Sequence, residues 1–284
     1  MRGVGVFTKL VYRRRFTTEE AGRRNLARPK GPSAPPTALT RRFEVTTSRD
    51  HGFDVHRVSA GANRSTTVVY LHGGSYTSEI VAQHWSLIAY LVEQTGCDVL
   101  VPIYGLAPKH HGLQALEFVT KVIADVIAQG RRCYLAGDSA GGGLALLAAQ
   151  AARGQIAGIT ALAPWLDLAI DNPGIDAIEP YDPWLARPGL RPIAAAWAGD
   201  LDLKDPRVSP ICGDLTALPP LQILVGTRDI TLADCRTLRD RLPPGTPLTY
   251  HEEPGALHVY PLLPVPEAAA GRRAIAAHIR AGTA

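Results

Sequence analysis

Residues 132–149 read RCYLAGDSAGGGLALLAA and contain the pattern Gly-x-Ser-x-Gly, with the serine at position 139. An apolar run ends at Gly137, and a helix-forming run begins at Leu144, after the glycines that follow the serine. The stretch therefore predicts a strand, a very tight turn and a helix, with Ser139 at the apex of the turn. Such a turn strains the backbone of the serine, so the residues two positions away on either side must be nearly free of side chain. The helix directs its N-terminal N–H groups and the positive end of its dipole at the turn.

Glycine-rich turns between a strand and a helix also occur in phosphate-binding loops and as purely structural connections. Here no Gly-Lys-Ser/Thr follows, and the spacing of a dinucleotide-binding fingerprint is not met, which disfavours both kinds of nucleotide site. A five-residue pattern also arises by chance in many chains. The interpretation of Ser139 as a nucleophile therefore depends on finding its partners elsewhere in the sequence.

The composition is that of an ordinary globular protein, with 284 residues, 46% apolar and 20% charged. This length predicts one large α/β domain, or one domain with a modest insert. No window of 18 uninterrupted apolar residues indicates a transmembrane helix, and we expect no cleavable signal and a cytoplasmic location. The cysteines at 97, 133, 212 and 235 lack metal-finger spacing, so reduced thiols are expected.

The basic excess lies in the N-terminal segment. Residues 1–50 hold 12 Lys and Arg against 4 Asp and Glu, whereas the whole chain has a net charge of +4. A nucleic-acid site would interleave basic and aromatic residues on a folded face, and this segment predicts a solvated arm or helix over residues 1–28 instead. We expect no nucleic-acid partner. Weak adsorption of this segment to an anionic membrane surface, and a homodimer, remain open.

Short apolar or alternating segments predict eight strands. They are 42–47, 53–59, 66–71, 97–103, 132–136, 156–163, 221–226 and 248–252. The first two flank a predicted hairpin turn at 49–52, and later strands alternate with amphipathic helices such as 113–129 and 266–281. This order predicts an α/β fold with a mostly parallel eight-stranded sheet and helices on both faces.

Two segments fall outside this alternation. Residues 29–37 contain four prolines and predict a linker, and residues 165–210 are rich in Pro, Asp and Trp and lack strand alternation. We therefore divide the chain into a basic N-terminal segment (1–40), a first core part (41–164), an inserted lid (165–210) and a second core part (211–284).

An acyl-transfer serine needs a base and an acid that orients the base. In a parallel sheet these residues come from loops at the carboxyl ends of strands. Asp229 follows the strand 221–226, and His258 follows the strand 248–252, which gives the order Ser139, Asp229, His258. Asp234 lies close enough in sequence to compete for the role of the acid. Asp138 is expected to be structural, since adjacent side chains on a sharp turn diverge.

The oxyanion of such a reaction needs N–H donors. Gly73 and Gly74 follow the strand 66–71, and with the N–H of Ala140 they are the predicted donors. His110 and His111 are adjacent and have no matching cluster of ligands, so no metal site is predicted.

In these residues and their order, the chain resembles the bacterial esterases, which form the hormone-sensitive-lipase-like branch of the α/β hydrolases. The matching stretches run from about residue 68 to 260. They are His72–Tyr76, Tyr104-x-Leu106-Ala107-Pro108, Gly137–Gly142, Asp182–Leu185, Asp205–Pro210, Leu218–Pro220 and the loops of Asp229 and His258. Two departures are visible: Ser75 stands where the family has a third glycine, and Gly105 and Lys109 replace the usual arginine and acidic residue.

The resemblance implies an α/β-hydrolase fold with a helical cap built from the N-terminal segment and the insert. It also implies a cofactor-free serine carboxylic-ester hydrolase for short-to-medium acyl esters, with a small-molecule ester as substrate. Amide or deacetylase-type hydrolysis by the same serine, and a non-catalytic ligand-binding protein, remain alternatives. Four aromatic residues are candidate substrate-binding walls, although core packing is the more frequent role of such residues: Tyr76, Trp85, Trp184 and Trp197.

Overall fold

An eight-stranded sheet forms the centre of the computed structural model, which describes residues 1, 3, 5, 12–61, 63–216 and 218–283. The strands are β1 (Glu44–Asp50), β2 (Phe53–Ser59), β3 (Asn63–Leu71), β4 (Cys97–Pro102), β5 (Arg132–Asp138), β6 (Ile156–Leu162), β7 (Leu221–Gly226) and β8 (Leu248–Glu253). Their spatial order is β1-β2-β4-β3-β5-β6-β7-β8. Pairs β1–β2 and β2–β4 are antiparallel and the others are parallel. The predicted mostly parallel sheet is thus confirmed.

The chain also forms helices, several of which pack against the sheet. With defined bounds these are α1 (Glu19–Ala27), α2 (Thr37–Thr40), α3 (Ala82–Thr95), α4 (Gly112–Ala128), α5 (Ala140–Ala152), α6 (Ile175–Ile178), α7 (Arg187–Ala198), α8 (Leu232–Arg241) and α9 (Pro266–Thr283). Because helices bury both faces, the central strands carry almost uninterrupted apolar side chains. In β5, for example, every residue after Arg132 is buried.

The hairpin between β1 and β2 is tighter than the sequence indicated. Strand β1 continues through Asp50, and His51 and Gly52 alone form the turn. Both residues have positive φ, 52° and 88°. A two-residue turn of this kind needs positive φ at both positions, because its twist must match that of the strands.

The N-terminal segment is less continuous than the predicted helix over 1–28. Residues 2, 4 and 6–11 of that prediction lie outside the described residues. The described part contains a 3₁₀ turn at Arg13–Arg15 and helix α1. Thr18 begins α1, because its side chain accepts the N–H of Ala21 at 3.1 Å. The helix ends at Ala27, since Arg28 precedes a proline and is extended.

The segment 165–210 contains α6 and α7 and has no strand. Helix α7 packs closely against α1: the N–H of Gly189 donates to the carbonyl oxygen of Phe16 at 2.7 Å, and a methyl group on Gly22 would lie 2.1 Å from the carbonyl oxygen of Gly189. The N-terminal segment and the insert are therefore joined to each other. Among the described residues, no helix has the length and apolar character needed to cross a membrane.

Candidate active site

Ser139 occupies the turn between β5 and α5, with φ 52° and ψ −120°. Glycine is required on both sides of Ser139, because other backbone atoms lie too close for a side chain there. A methyl group on Gly141 would lie 2.0 Å from the carbonyl oxygen of Leu71, and one on Gly137 would lie 2.5 Å from the carbonyl oxygen of Gly141. The turn is thus held against the end of β3, and it presents a buried serine at the carboxyl edge of the sheet.

Two other loops at this edge bring His258 and Asp229 to the serine. Nε2 of His258 lies 2.9 Å from Oγ of Ser139, and Nδ1 of His258 lies 2.8 Å from Oδ2 of Asp229. Asp229 is fully buried, and its Oδ1 accepts the N–H of Thr231 at 3.0 Å. With its carboxylate accepting the Nδ1 hydrogen, Nε2 of the neutral imidazole is left to accept the hydroxyl hydrogen of Ser139.

The electrostatics of this array favour a histidine of raised basicity. Burial lowers the pKa of His258, but the charge of Asp229 and its hydrogen bond outweigh burial, so the pKa lies above the usual 6.5. A carboxylate held in this way stabilises the imidazolium that forms when the serine loses its proton. The rival acid, Asp234, makes no hydrogen bond to His258 among the described contacts; its carboxyl accepts the side-chain amide of Asn172 at 2.8 Å.

The carboxylate of Asp138 makes no hydrogen bond to His258 among the described contacts and instead holds the loop that follows β3. It accepts the hydroxyl of Tyr70 at 2.8 Å, the N–H of Gly73 at 3.0 Å and Nε2–H of His84 at 3.2 Å. His84 must carry its hydrogen on Nε2, because its Nδ1 accepts the N–H of Val81 at 2.9 Å. Burial raises the pKa of Asp138, yet the charge of His84 and these hydrogen bonds bring the pKa below the usual value.

The predicted oxyanion donors differ in whether their N–H group already bonds a protein acceptor. The N–H of Gly73 is engaged by Asp138, which the sequence did not indicate. Among the described residues, no protein acceptor bonds the N–H groups of Gly74, Ser75 and Ala140. Gly74 and Ser75 have φ of 120° and 53°. Ser75 also lines the same cavity as Ser139, so its N–H replaces that of Gly73 as a candidate donor.

The four predicted aromatic walls lie in different places. Trp184 packs edge-on against the ring of His258, with centroids 5.7 Å apart. Tyr76 and Trp197 are completely buried and stack face to face at 3.9 Å, behind the oxyanion loop. Trp85 lies farther away, where it lines a hollow between the linker 28–36 and residues 77–82. Of these four aromatic residues, only Trp184 has a described ring contact with His258.

A small cavity opens beside Ser139, with a volume of about 20 Å³. Its apolar walls are Trp165, Ile170, Ile175, Leu185, Leu190 and Ile230, and Thr231 and Asp234 complete it. None of these residues was singled out as a pocket wall from the sequence. Trp165 could have been predicted, because it follows β6 at the same edge of the sheet as the loops of Ser139, Asp229 and His258.

Asp182 connects the insert to the loop that carries Asp229. Oδ1 of this carboxyl accepts the N–H groups of Trp184 and Leu185 at 2.7 and 2.9 Å, and Oδ2 accepts the N–H of Ile230 at 3.0 Å. Burial and the nearby charge of Asp229 raise the pKa of Asp182. One side chain thus shapes the turn that carries Trp184 and fixes that turn to the residue after Asp229.

Arg13 supports the same turn from the N-terminal segment. Its guanidinium donates to the carbonyl oxygens of Leu185 at 3.1 Å and Glu179 at 3.2 Å, and also to that of Asp182. Tyr12, the neighbouring residue, packs against Trp184 with ring centroids 5.1 Å apart. The N-terminal segment therefore contributes directly to the wall beside the catalytic histidine candidate.

No group of three or more His, Cys, Asp or Glu side chains in the described part of the chain is arranged to hold a metal ion. His110 and His111 accordingly remain without further ligands there.

Comparison with known proteins identifies the family. Residues 68–262 match the sequence model of a family described by the α/β hydrolase fold, and the chain belongs to that family. The chain is 36% identical over 221 residues to an acetyl-hydrolase of Streptomyces hygroscopicus, covering 74% of this chain and 72% of that protein. An esterase of Acinetobacter venetianus is 28% identical over 192 residues, 65% of this chain, and the match spans only 63% of that esterase.

Among solved structures, an esterase from the bacterial hormone-sensitive lipase family superimposes with a TM-score of 0.77 at 26% identity, covering 94% of this chain and 91% of that one. The resemblance to the hormone-sensitive-lipase-like branch is therefore confirmed. These relatives show that the chain is an esterase- and lipase-type hydrolase.

Proposed function

We propose that this protein hydrolyses short-to-medium acyl esters through a Ser139–His258–Asp229 triad and an acyl-enzyme intermediate. The single observation that carries the proposal is the continuous hydrogen-bonded path from Ser139 Oγ to His258 to Asp229, at 2.9 and 2.8 Å. The name of the acetyl-hydrolase relative and the small size of the cavity beside Ser139 support a short acyl group.

In the first half-reaction, His258 takes the hydroxyl proton of Ser139 while Oγ attacks the ester carbonyl carbon. The resulting oxyanion is held by N–H groups of the residues that face the serine, for which Gly74, Ser75 and Ala140 are the candidates. His258 then returns the proton to the departing alcohol as the carbon–oxygen bond breaks. Each oxyanion donor is worth roughly 100- to 1,000-fold in kcat in enzymes of this type.

In the second half-reaction, a water molecule gives its proton to His258 and attacks the acyl carbon. The proton passes to Oγ of Ser139 as the acid leaves, which restores the starting state. The role of Asp229 is to hold His258 in the correct tautomer and to stabilise its cationic form. No step requires a group outside this set of side chains and N–H donors.

The test is turnover of p-nitrophenyl esters with two to sixteen acyl carbons by the wild type and by Ser139→Ala. We expect a maximum at short chain length, and a loss in the variant of at least about 1,000-fold in kcat. Circular dichroism of the variant controls for folding. Full activity in Ser139→Ala, or no turnover of any ester by a folded wild type, would exclude this mechanism. A matched p-nitroanilide measures whether amides are also cleaved.

A further inference from the structure

Asp182 in the insert makes more hydrogen bonds than its own turn needs. Its Oδ1 accepts the N–H groups of Trp184 and Leu185 at 2.7 and 2.9 Å. Aspartate and asparagine both make this local pattern, because it needs only one side-chain oxygen a few residues before the N–H groups. Oδ2 instead accepts the N–H of Ile230 at 3.0 Å, 48 residues along the chain. The second oxygen, which an asparagine lacks, therefore serves a different segment.

That segment carries the acid of the triad. Asp229 immediately precedes Ile230, and its Oδ1 accepts the N–H of Thr231 at 3.0 Å. The turn 229–231 is thus held by two carboxylates, one of its own and one from the insert. Because Oδ2 of Asp229 lies 2.8 Å from Nδ1 of His258, any shift of this turn changes the geometry of that hydrogen bond.

The same carboxyl group also fixes a neighbour of the base. Trp184, whose N–H bonds Oδ1 of Asp182, meets the ring of His258 edge-on with centroids 5.7 Å apart. Asp182 itself makes no hydrogen bond to His258 or Ser139 among the described contacts. Its influence on the geometry of the triad therefore passes through Asp229 and Trp184.

Folding alone does not account for a carboxylate at this position. Asp182 is 1% exposed and Asp229 is fully buried, so two acidic groups are removed from water in the same region. Burial and the charge of Asp229 raise the pKa of Asp182 to about 7. Two such groups together oppose folding, whereas an asparagine would complete the turn without this cost. Strongly perturbed acidic groups concentrate at functional sites, and the triad is the site that Asp182 adjoins.

We propose that Asp182 is a positioning residue of the catalytic triad. It holds the turn 229–231 so that the carboxylate of Asp229 meets Nδ1 of His258, and its own negative charge adds to the stabilisation of the imidazolium. This inference rests on the proposed function, because it adds a residue to the Ser139 mechanism.

The charges around the base give the sign of the electrostatic effect. Burial lowers the pKa of His258, and the charges of three buried carboxylates raise it, namely those of Asp229, Asp182 and Asp138. Arg13 bonds the backbone carbonyl oxygen of Asp182 and has no described ion pair with its carboxylate. Removing the charge of Asp182 should therefore lower the pKa of His258.

The experiment measures kcat and KM of Asp182→Asn for p-nitrophenyl butyrate from pH 5 to 9. The amide keeps an oxygen for the turn, removes the charge and presents an NH₂ group to the N–H of Ile230. We expect kcat to fall by about tenfold or more with a smaller change in KM, the size of a coupling within one hydrogen-bond network. The midpoint of the pH profile of kcat/KM should move to lower pH. Asp182→Ser, which keeps one oxygen for the turn, should show both changes.

Asp202→Asn is the matched control. Asp202 lies at an exposed position of the same insert, and its Oδ1 accepts the N–H of Lys204 at 2.8 Å. This variant should keep the wild-type kcat and midpoint. Circular dichroism at each pH gives the folded fraction by which activities are divided, so the midpoint separates positioning from stability.

A double-mutant cycle with Asp229→Asn tests the path of the effect. If Asp182 acts through Asp229, adding Asp182→Asn to Asp229→Asn should lower kcat by about twofold or less. The same loss in both backgrounds would overturn the inference, and so would a fall in kcat with an unmoved midpoint or wild-type kinetics in both Asp182 variants. Failure of the proposed function looks different, since turnover by the wild type would then not depend on Ser139.

Discussion

The carboxylate of Asp138 accepts the N–H of Gly73 at 3.0 Å, so the residue before the nucleophile fixes the loop that faces it. The next two residues of that loop, Gly74 and Ser75, have N–H groups without a protein acceptor. Because Ser75 is a non-glycine residue with positive φ, its backbone is strained and depends on the anchors of the loop. Under the proposed mechanism, Asp138 and its partner His84 position the candidate oxyanion donors.

Replacing His84 tests this relationship. His84→Phe removes one donor to Asp138 and the acceptor of the Val81 N–H. We expect kcat to fall by roughly tenfold or more with a smaller change in KM, since oxyanion donors act mainly on the transition state. His84→Gln should recover part of the activity. His251→Phe, at an exposed position of β8, is the control. A loss confined to KM would contradict the positioning role.

The pH dependence of kcat/KM follows from the raised pKa of His258. The base must be neutral to accept the serine proton, so activity should rise with pH through a midpoint above 6.5. Asp229→Asn should lower that midpoint and reduce kcat by about 10,000-fold, the size of the effect in the serine-protease template. Steady-state kinetics from pH 5 to 9 measure both. A wild-type midpoint below 6.5 would contradict the electrostatic argument.

Asp234 should make stability depend on pH in the opposite direction from an ordinary salt-bridged carboxylate. Its pKa is about 7 in the folded state because of burial, against 3.8 in the reference state, so the folded protein binds the extra proton between these values. The contribution of this group is therefore favourable at low pH and is lost as pH rises toward 7.

Urea denaturation of the wild type and Asp234→Asn at pH 5 and pH 8 checks that sign. Relative to the wild type, the variant should gain on the order of 2 kcal/mol between the two pH values, because only the wild type loses the contribution. Comparing the two proteins cancels the similar titration of Asp182. An identical pH dependence in both proteins would show that Asp234 titrates normally.

Gly141→Ala should destabilise the protein severely. The added methyl group would lie 2.0 Å from the carbonyl oxygen of Leu71 and 2.5 Å from that of His72, and neither backbone can retreat without moving β3. We expect a loss of about 3 kcal/mol or more in the free energy of unfolding. Gly31→Ala is the control, because no atom lies within 4 Å of the added group. Equal stability of the two variants would refute the close-packing argument.

Arg13 should matter for catalysis although it lies outside the sheet. Arg13→Gln shortens the side chain and weakens its bonds to the carbonyls of Glu179 and Leu185, so the turn carrying Trp184 should loosen. We expect a lower melting temperature and a KM raised by about three- to tenfold, equivalent to about 1 kcal/mol. The exposed neighbour provides the control variant Arg14→Gln. Similar kinetics for both variants would rule out this support.

The sheet and the three triad candidates could be predicted because their signals are local. Ser139 and Asp229 each lie at or just after the end of a buried, largely apolar strand, His258 follows the more polar strand β8, and parallel strands end at one edge. Whether the N–H of Gly73 is free to bond a ligand could not be predicted in this way. It depends on Asp138, 65 residues away, and on His84 in a helix that packs behind the loop.

The cavity beside Ser139 could not be predicted from the sequence either, for a physical reason. Ile170, Leu185 and Thr231 have no shared periodicity, because they come from two turns of the insert and from the start of α8. Tyr76 and Trp197 illustrate the reverse error, since large aromatic residues attract attention as binding walls yet here stack on each other in the interior. Apart from Trp165, the apolar walls of the cavity beside Ser139 are isoleucine and leucine side chains, which come from several separate segments.

The distribution of tryptophan gives this protein an intrinsic optical probe. Trp165 lines the cavity, Trp184 packs on His258 and Trp197 stacks on Tyr76 behind the oxyanion loop, while Trp85 is the one remaining indole of the chain. Three of the four emitters therefore sit within the region that substrate would disturb. Under the proposed function, changes in ultraviolet fluorescence during a single turnover can thus follow the arrival of the acyl group without any attached dye.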